Sequence, residues 1–117
     1  GRFNLIIKDE RRTPTKKHLR IASSDDIAGP YQDLQPPFTR DWVEGPTALQ
    51  VGDDFLVYFD GYTAHRYEAM RSKDLKNWED VSSKISFPKG TRHGTAIAVE
   101  KKFVDELISK TTAPARN

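Results

Sequence analysis

Phe55-Leu56-Val57-Tyr58-Phe59-Asp60 is an apolar run that stops on an aspartate, and it echoes Phe3-Asn4-Leu5-Ile6-Ile7-Lys8-Asp9 near the start of the chain. Two further echoes keep the spacing. Ser24-Asp25-Asp26-Ile27 returns as Ser72-Lys73-Asp74-Leu75, and an aromatic residue follows each, Tyr31 in one case and Trp78 in the other. Glu44-Gly45-Pro46-Thr47-Ala48-Leu49-Gln50-Val51 lines up with His93-Gly94-Thr95-Ala96-Ile97-Ala98-Val99. The period is about 50 residues, a length that repeat architectures fill with one supersecondary unit each.

Working outward from these runs, residues 3–8 and 18–23 alternate as strands and are joined by the polar stretch 9–17, so they predict an antiparallel pair. Asp25-Asp26 and Gly29-Pro30 predict turns, Tyr31 the opening of a short outer strand, and Pro36-Pro37 the crossing to a second unit. There the order recurs, with strands at 47–51, 55–60 and 66–71 and a short one near Trp78. The Gly52-Asp53 turn between the first two is a strong local hairpin signal. A third unit contributes one strand, 95–99. This is the strand order of a four-stranded β-propeller blade counted from the axis outward. The fold expected is therefore all-β, an incomplete five-bladed propeller of about two to two and a half blades. Its units span 1–40, 41–88 and 89–99. Residues 100–117 are expected to add a short amphipathic helix, with Phe103, Val104, Leu107 and Ile108 on one face, and a frayed tail.

Composition sets wide bounds. A chain of 117 residues allows one modest core. The net charge of +2, with acids and bases interleaved, gives no basic stripe for nucleic acid. No run is long enough for a membrane-spanning helix, so neither nucleic acid nor membrane is an expected partner. The absence of cysteine removes disulfides and thiolate metal sites. No localisation is read from the chain.

The repeat singles out Glu44 and His93. Both stand just before the innermost strand of successive units, and in a propeller such residues face one another across a mouth of the central channel. Gly45-Pro46 and Gly94 keep bulk away from them. Taken alone, Glu44 fits equally well as the cap of a strand end, and His93 as the partner of a neighbouring carbonyl. Asp9 and Asp60, each ending the second strand of a unit, are read as structural, and Trp78 as inter-blade core. Lys8 is out of place on an apolar strand and points either to the channel or to solvent. Tyr62, His65, Arg66 and Tyr67 are weaker candidates for stacking on a ligand.

With these residues in view, Trp42-Val43-Glu44-Gly45-Pro46, the strand at 55–59 and Arg71-Ser72-Lys73-Asp74-Leu75-Lys76-Asn77-Trp78-Glu79 together resemble glycoside hydrolase family 43. Arg92-His93-Gly94-Thr95 resembles the family segment whose histidine sits at the channel centre. The resemblance covers about residues 3–99 and implies an inverting hydrolase of O-glycosidic bonds in arabinose- or xylose-containing polysaccharides. It makes Glu44 the general acid, with Trp42, Arg92 and His93 in contact with a carbohydrate substrate. It requires no cofactor, but implies a calcium ion or a water cluster beside His93, the metal ligand. A protonated glutamate needs partial desolvation or a nearby negative charge; Trp42 is expected to supply the first.

One departure from the family is plain. Two of its three catalytic carboxylates would fall upstream of Gly1 by the repeat arithmetic. The chain is therefore expected to be the C-terminal part of a hydrolase, inactive alone and completed by N-terminal blades or by another copy of itself. A non-catalytic sugar-binding or assembly module on the same scaffold is the alternative. A phosphorolytic relative is a third reading, and Arg92 is its one suggestive residue.

Overall fold

The computed structural model describes residues 1–112, so the tail expected beyond Thr112 lies outside the described residues. The chain is mostly β, with two antiparallel sheets and one C-terminal helix, and the sheets close no barrel. Strands β1 (Phe3–Lys8) and β2 (Leu19–Ser24) form the first sheet. Strands β3 (Glu44–Val51), β4 (Asp54–Gly61), β5 (Arg66–Ser72) and β6 (Glu79–Asp80) form the second, each paired with the next in chain order. The outer strand expected from Tyr31 reduces to one bridge between Ser23 and Gln32.

The repeat is physical as well as textual. Ser24 Oγ accepts from the Asp26 amide at 3.1 Å, and Ser72 Oγ from the Asp74 amide at 3.2 Å. Asp26 Oδ1 then accepts from the Ala28 amide at 2.8 Å, and Asp74 Oδ1 from the Lys76 amide at 2.9 Å. Short polar side chains thus close the same turn twice, by the local side chain to backbone bonds that favour Ser and Asp in turns.

Strand register corrects one equivalence read from the sequence. Phe3 pairs with Ser24 and Phe55 with Ser72, so counting along both ladders puts Lys8 (opposite Leu19) in the place of Asp60 (opposite Tyr67). Asp9 corresponds to Gly61, not to Asp60. The extra residue in the first apolar run shifts the two aspartates out of step.

The core lies between the sheets. Leu19, Ile21, Phe38, Val43, Val57 and Phe59 are buried together, and Ile6, Met70, Leu75 and Trp78 pack against them. Trp78 stacks on Phe38 with ring centroids 4.2 Å apart, which bears out its reading as core between units. Each large apolar side chain buried in this way contributes about 1.5–3 kcal/mol. The linker between the sheets is tied by charge: Arg40 donates to buried Glu68 at 3.0 Å, and Arg66 reaches the same carboxylate at 2.5 Å. Buried His18 lies between Asp41, at 3.1 Å, and Asp9, at 3.2 Å.

Two expectations for the end of the chain meet different outcomes. Residues 95–99 form no strand; they pass β3 with the Ala96 amide donating to Thr47 Oγ1 at 3.0 Å. A strand is stabilised by a ladder of partners, and the residues that follow turn into a helix without supplying one. That helix, α1 (Lys101–Thr112), forms as its periodicity predicts. Its apolar residues Phe103, Val104, Leu107 and Ile108 are exposed, and it buries no residue.

Candidate functional site

The first turn of β3 is irregular for a reason visible in its sequence. Gly45 takes a φ of 58°, and the ladder to β4 shifts between Glu44, opposite Asp60, and Thr47, opposite Tyr58. A glycine accommodates that left-handed conformation without a Cβ penalty. The bulge separates Glu44 from the regular part of the strand and leaves its carboxylate about one quarter exposed. Such bulges are common where a strand re-aims a side chain.

His93 meets it there. The imidazole Nε2 lies 3.2 Å from Glu44 Oε1 and 3.7 Å from Asp60 Oδ2. The approach depends on Gly45, because a Cβ at that position would stand 2.4 Å from His93 Nδ1. His93 itself has a φ of 35° and Trp42 one of 64°, values rare for residues with side chains. Lys17, Asp33, His65 and Leu75 share this conformation away from the cluster.

Two residues outside the sequence-derived site complete the cluster. Lys8 Nζ, at the end of β1, donates to Glu44 Oε2 at 2.8 Å, so the lysine turns inward. Asp60 is buried, and its Oδ2 accepts from Arg92 Nε at 2.5 Å, while its Oδ1 has no partner among the described residues. Asp60 was read as structural because an aspartate ending a strand is commonly a loop partner. Register, visible only in the ladders, makes Lys8 and Asp60 equivalent, and both reach the cluster.

The electrostatics run against one expectation. Lys8 first, and His93 after it, hold the Glu44 carboxyl below the usual glutamate range, outweighing partial burial, which acts the other way. The shift is away from the protonated form that the resemblance to the family assigns to Glu44. Opposite charges at hydrogen-bond distance favour the ionised form.

Glu44, Asp60 and His93 each offer one ligand atom, all within 4.8 Å of one another, a set compatible in type with a divalent cation. Arg92 belongs to the cluster through Asp60, and its guanidinium comes within 4.0 Å of Glu44. Trp42 is different. Its amide is anchored on the Lys16 carbonyl, the residue is 42% exposed, and no polar contact joins it to the cluster among the described residues. Of the weaker candidates, Tyr62 lies beneath Lys8, with the ammonium 5.9 Å from its ring centre, whereas Arg66 is held by Glu68. Chemically the arrangement offers two carboxylates, one imidazole and two cations at the edge where the two sheets meet. No family model, curated protein or solved structure matches this chain.

Proposed function

We propose that the chain is the C-terminal part of an inverting glycoside hydrolase, built on part of a five-bladed β-propeller and acting on arabinose- or xylose-containing polysaccharides. The observation that carries this reading is the meeting of Glu44 and His93, 49 residues apart in repeat-equivalent positions, at 3.2 Å. In this reading Glu44 protonates the leaving glycosidic oxygen, and a carboxylate from an upstream blade activates water on the other face of the sugar. Lys8 opposes that role, since it favours the ionised carboxylate. Proton donation therefore requires the upstream blades to bring negative charge to Glu44, which raises a neighbouring carboxyl. His93, Asp60 and Arg92 bind and orient the sugar.

The low proton affinity of Glu44 favours a second reading, a sugar-binding module without catalysis, in which the carboxylate accepts hydrogen bonds from ligand hydroxyls. Arg92 is engaged with Asp60, which weakens the phosphorolytic reading.

The test is Glu44→Gln in a propeller completed by upstream blades. Loss of general acid catalysis lowers the rate on unactivated glycosides by roughly 10²–10⁴-fold. Aryl glycosides with good leaving groups lose much less. Equal losses on both substrates show that Glu44 is not the proton donor, and unchanged rates leave the binding reading. The 117-residue chain alone is expected to hydrolyse neither; turnover by it overturns the assignment of roles.

A further inference from the structure

Strand β1 is hydrogen-bonded on one edge only, whereas its register equivalent β4 is flanked by β3 and β5. Among the described residues β1 has no strand in the position of β3. The other end of the chain carries one. Thr95-Ala96-Ile97-Ala98-Val99 repeats Thr47-Ala48-Leu49-Gln50-Val51, yet it belongs to no sheet, and Ile97 is 70% and Val99 51% exposed. An unpaired edge and an unpaired segment of matching pattern thus stand at opposite ends of one molecule. Unpaired edges of this kind are templates for another chain.

The faces match as well. Within the chain, Val57 and Phe59 of β4 pack on Leu19 and Ile21, with Ile6 alongside. Register makes Leu5 and Ile7 the equivalents of Val57 and Phe59, and makes Ile6, Leu19 and Ile21 the equivalents of Tyr58, Tyr67 and Ala69. Leu5 lies on the bare face of β1 beside Phe3, and each is 40% exposed. Tyr58 and Tyr67, with Thr47, Leu49 and Phe87, line an apolar groove of about 330 Å³ on the far face of the second sheet. One chain therefore displays both halves of the contact that it already makes once internally.

We infer that Thr95–Val99 of one chain adds as an antiparallel strand to β1 of a second copy, whose Leu5 and Ile7 then cover Tyr58 and Tyr67 of the first. The pairing of Ala48 with Val57 and of Leu49 with Leu56 carries over as Ala96 with Leu5 and Ile97 with Asn4. Reciprocal exchange satisfies both ends of both chains and closes a ring of four units, two from each copy, in place of the five-unit ring of the proposed parent. In any longer form of the protein a preceding unit would take the same edge of β1; in the 117-residue chain the occupant is a second copy.

The chain has no cysteine, so single-cysteine variants give a clean test. Ala96→Cys and Leu5→Cys chains are mixed, oxidised and run without reductant; Ile97→Cys is mixed with Asn4→Cys in the same way. Both mixtures are expected to convert most chains to a covalent dimer, while each variant alone does not. Ala96→Cys with Asn4→Cys is one residue out of register, which turns the side chains to opposite faces, and is expected to link at least ten-fold less. Sedimentation of the unmodified chain is expected to give twice its 13.3 kDa. A monomer at all concentrations, or equal linking in and out of register, overturns the inference. So does a dimer that forms no in-register link and dissociates on Leu107→Glu, because that contact lies on α1.

Discussion

Gly45 and Gly52 allow a matched pair of perturbations. Both have left-handed backbone, with φ of 58° and 59°, so alanine at either costs about 1–2 kcal/mol in backbone strain. For a domain near this size each kcal/mol lowers Tm by roughly 4–8 °C. Only one of them touches the site. An added Cβ at Gly52 meets nothing within 4 Å, but at Gly45 it stands 2.4 Å from His93 Nδ1 and 2.8 Å from Cε1. To reach ordinary contact the imidazole must retreat by about 1 Å, which stretches the 3.2 Å approach to Glu44 beyond hydrogen-bond range. Glu44 then loses one of the groups that favour its ionised form, and its pKa moves up toward the ordinary glutamate value. Thermal unfolding of both variants, with NMR titration of the Glu44 carboxyl and the His93 ring, separates the effects. The loss of Tm is expected to be larger in Gly45→Ala, with site resonances altered only in that variant. Unmoved His93 signals in Gly45→Ala, or equal disturbance by Gly52→Ala, would refute the reasoning.

Phe59→Ala removes a nearly fully buried ring from between the sheets, and urea unfolding should show a loss of about 3–5 kcal/mol; a loss below about 1 kcal/mol would mean that the two sheets do not share this core. Lys8→Met should raise the Glu44 pKa more than Gly45→Ala does, since Lys8 is its strongest partner; an unchanged carboxyl titration contradicts the ion pair. The carboxyls of Asp9, Asp74 and Glu79 are all held low, Asp9 by Arg11, Asp74 by Asn77 and Glu79 by Lys84 and Arg71, with Glu79 down to about 2. Groups whose folded pKa is depressed stabilise the fold above their unfolded values and lose that contribution as pH falls through the folded ones. The urea midpoint should therefore hold from pH 7 to about 5 and fall steadily below about pH 4; a flat profile down to pH 2 would contradict this.

The second sheet was legible because each of its signals is local. Gly52-Asp53 sets the hairpin, alternation sets the faces of β4, and Ser72 with Asp74 closes the turn after β5. Residues 95–99 carry the same pattern as β3, but a strand also needs a neighbour, and sequence pattern does not report whether one is present. The site was half legible for a related reason. Glu44 and His93 stand out because the repeat aligns them. Lys8 stands out in the sequence, but with the channel and solvent as equal destinations, and Asp60 reads as structural; only the ladder shows which of Lys8 and Asp9 takes the place of Asp60. The proton affinity of Glu44 depends on Lys8, 36 residues away in the chain, and so was not readable from Trp42 or Gly45 beside it.

The exchange of aspartate for lysine between equivalent positions has a consequence for what approaches this edge of the molecule. Had both units kept the acid, Glu44 and two aspartates would have faced one arginine, and the cluster would have presented a net negative field. With Lys8 in place, the cations Lys8, Arg92 and Lys17 offset the anions Glu44, Asp60 and Glu10, with Lys8 2.8 Å from both Glu44 and Glu10. Opposite charges this close cancel within a Debye length, so little potential extends into solvent. A charged ligand gains no long-range guidance there, and an uncharged polyol is at no disadvantage. In the reading proposed above, capture of such a ligand would be governed by hydrogen bonding and desolvation at contact, with a rate insensitive to ionic strength.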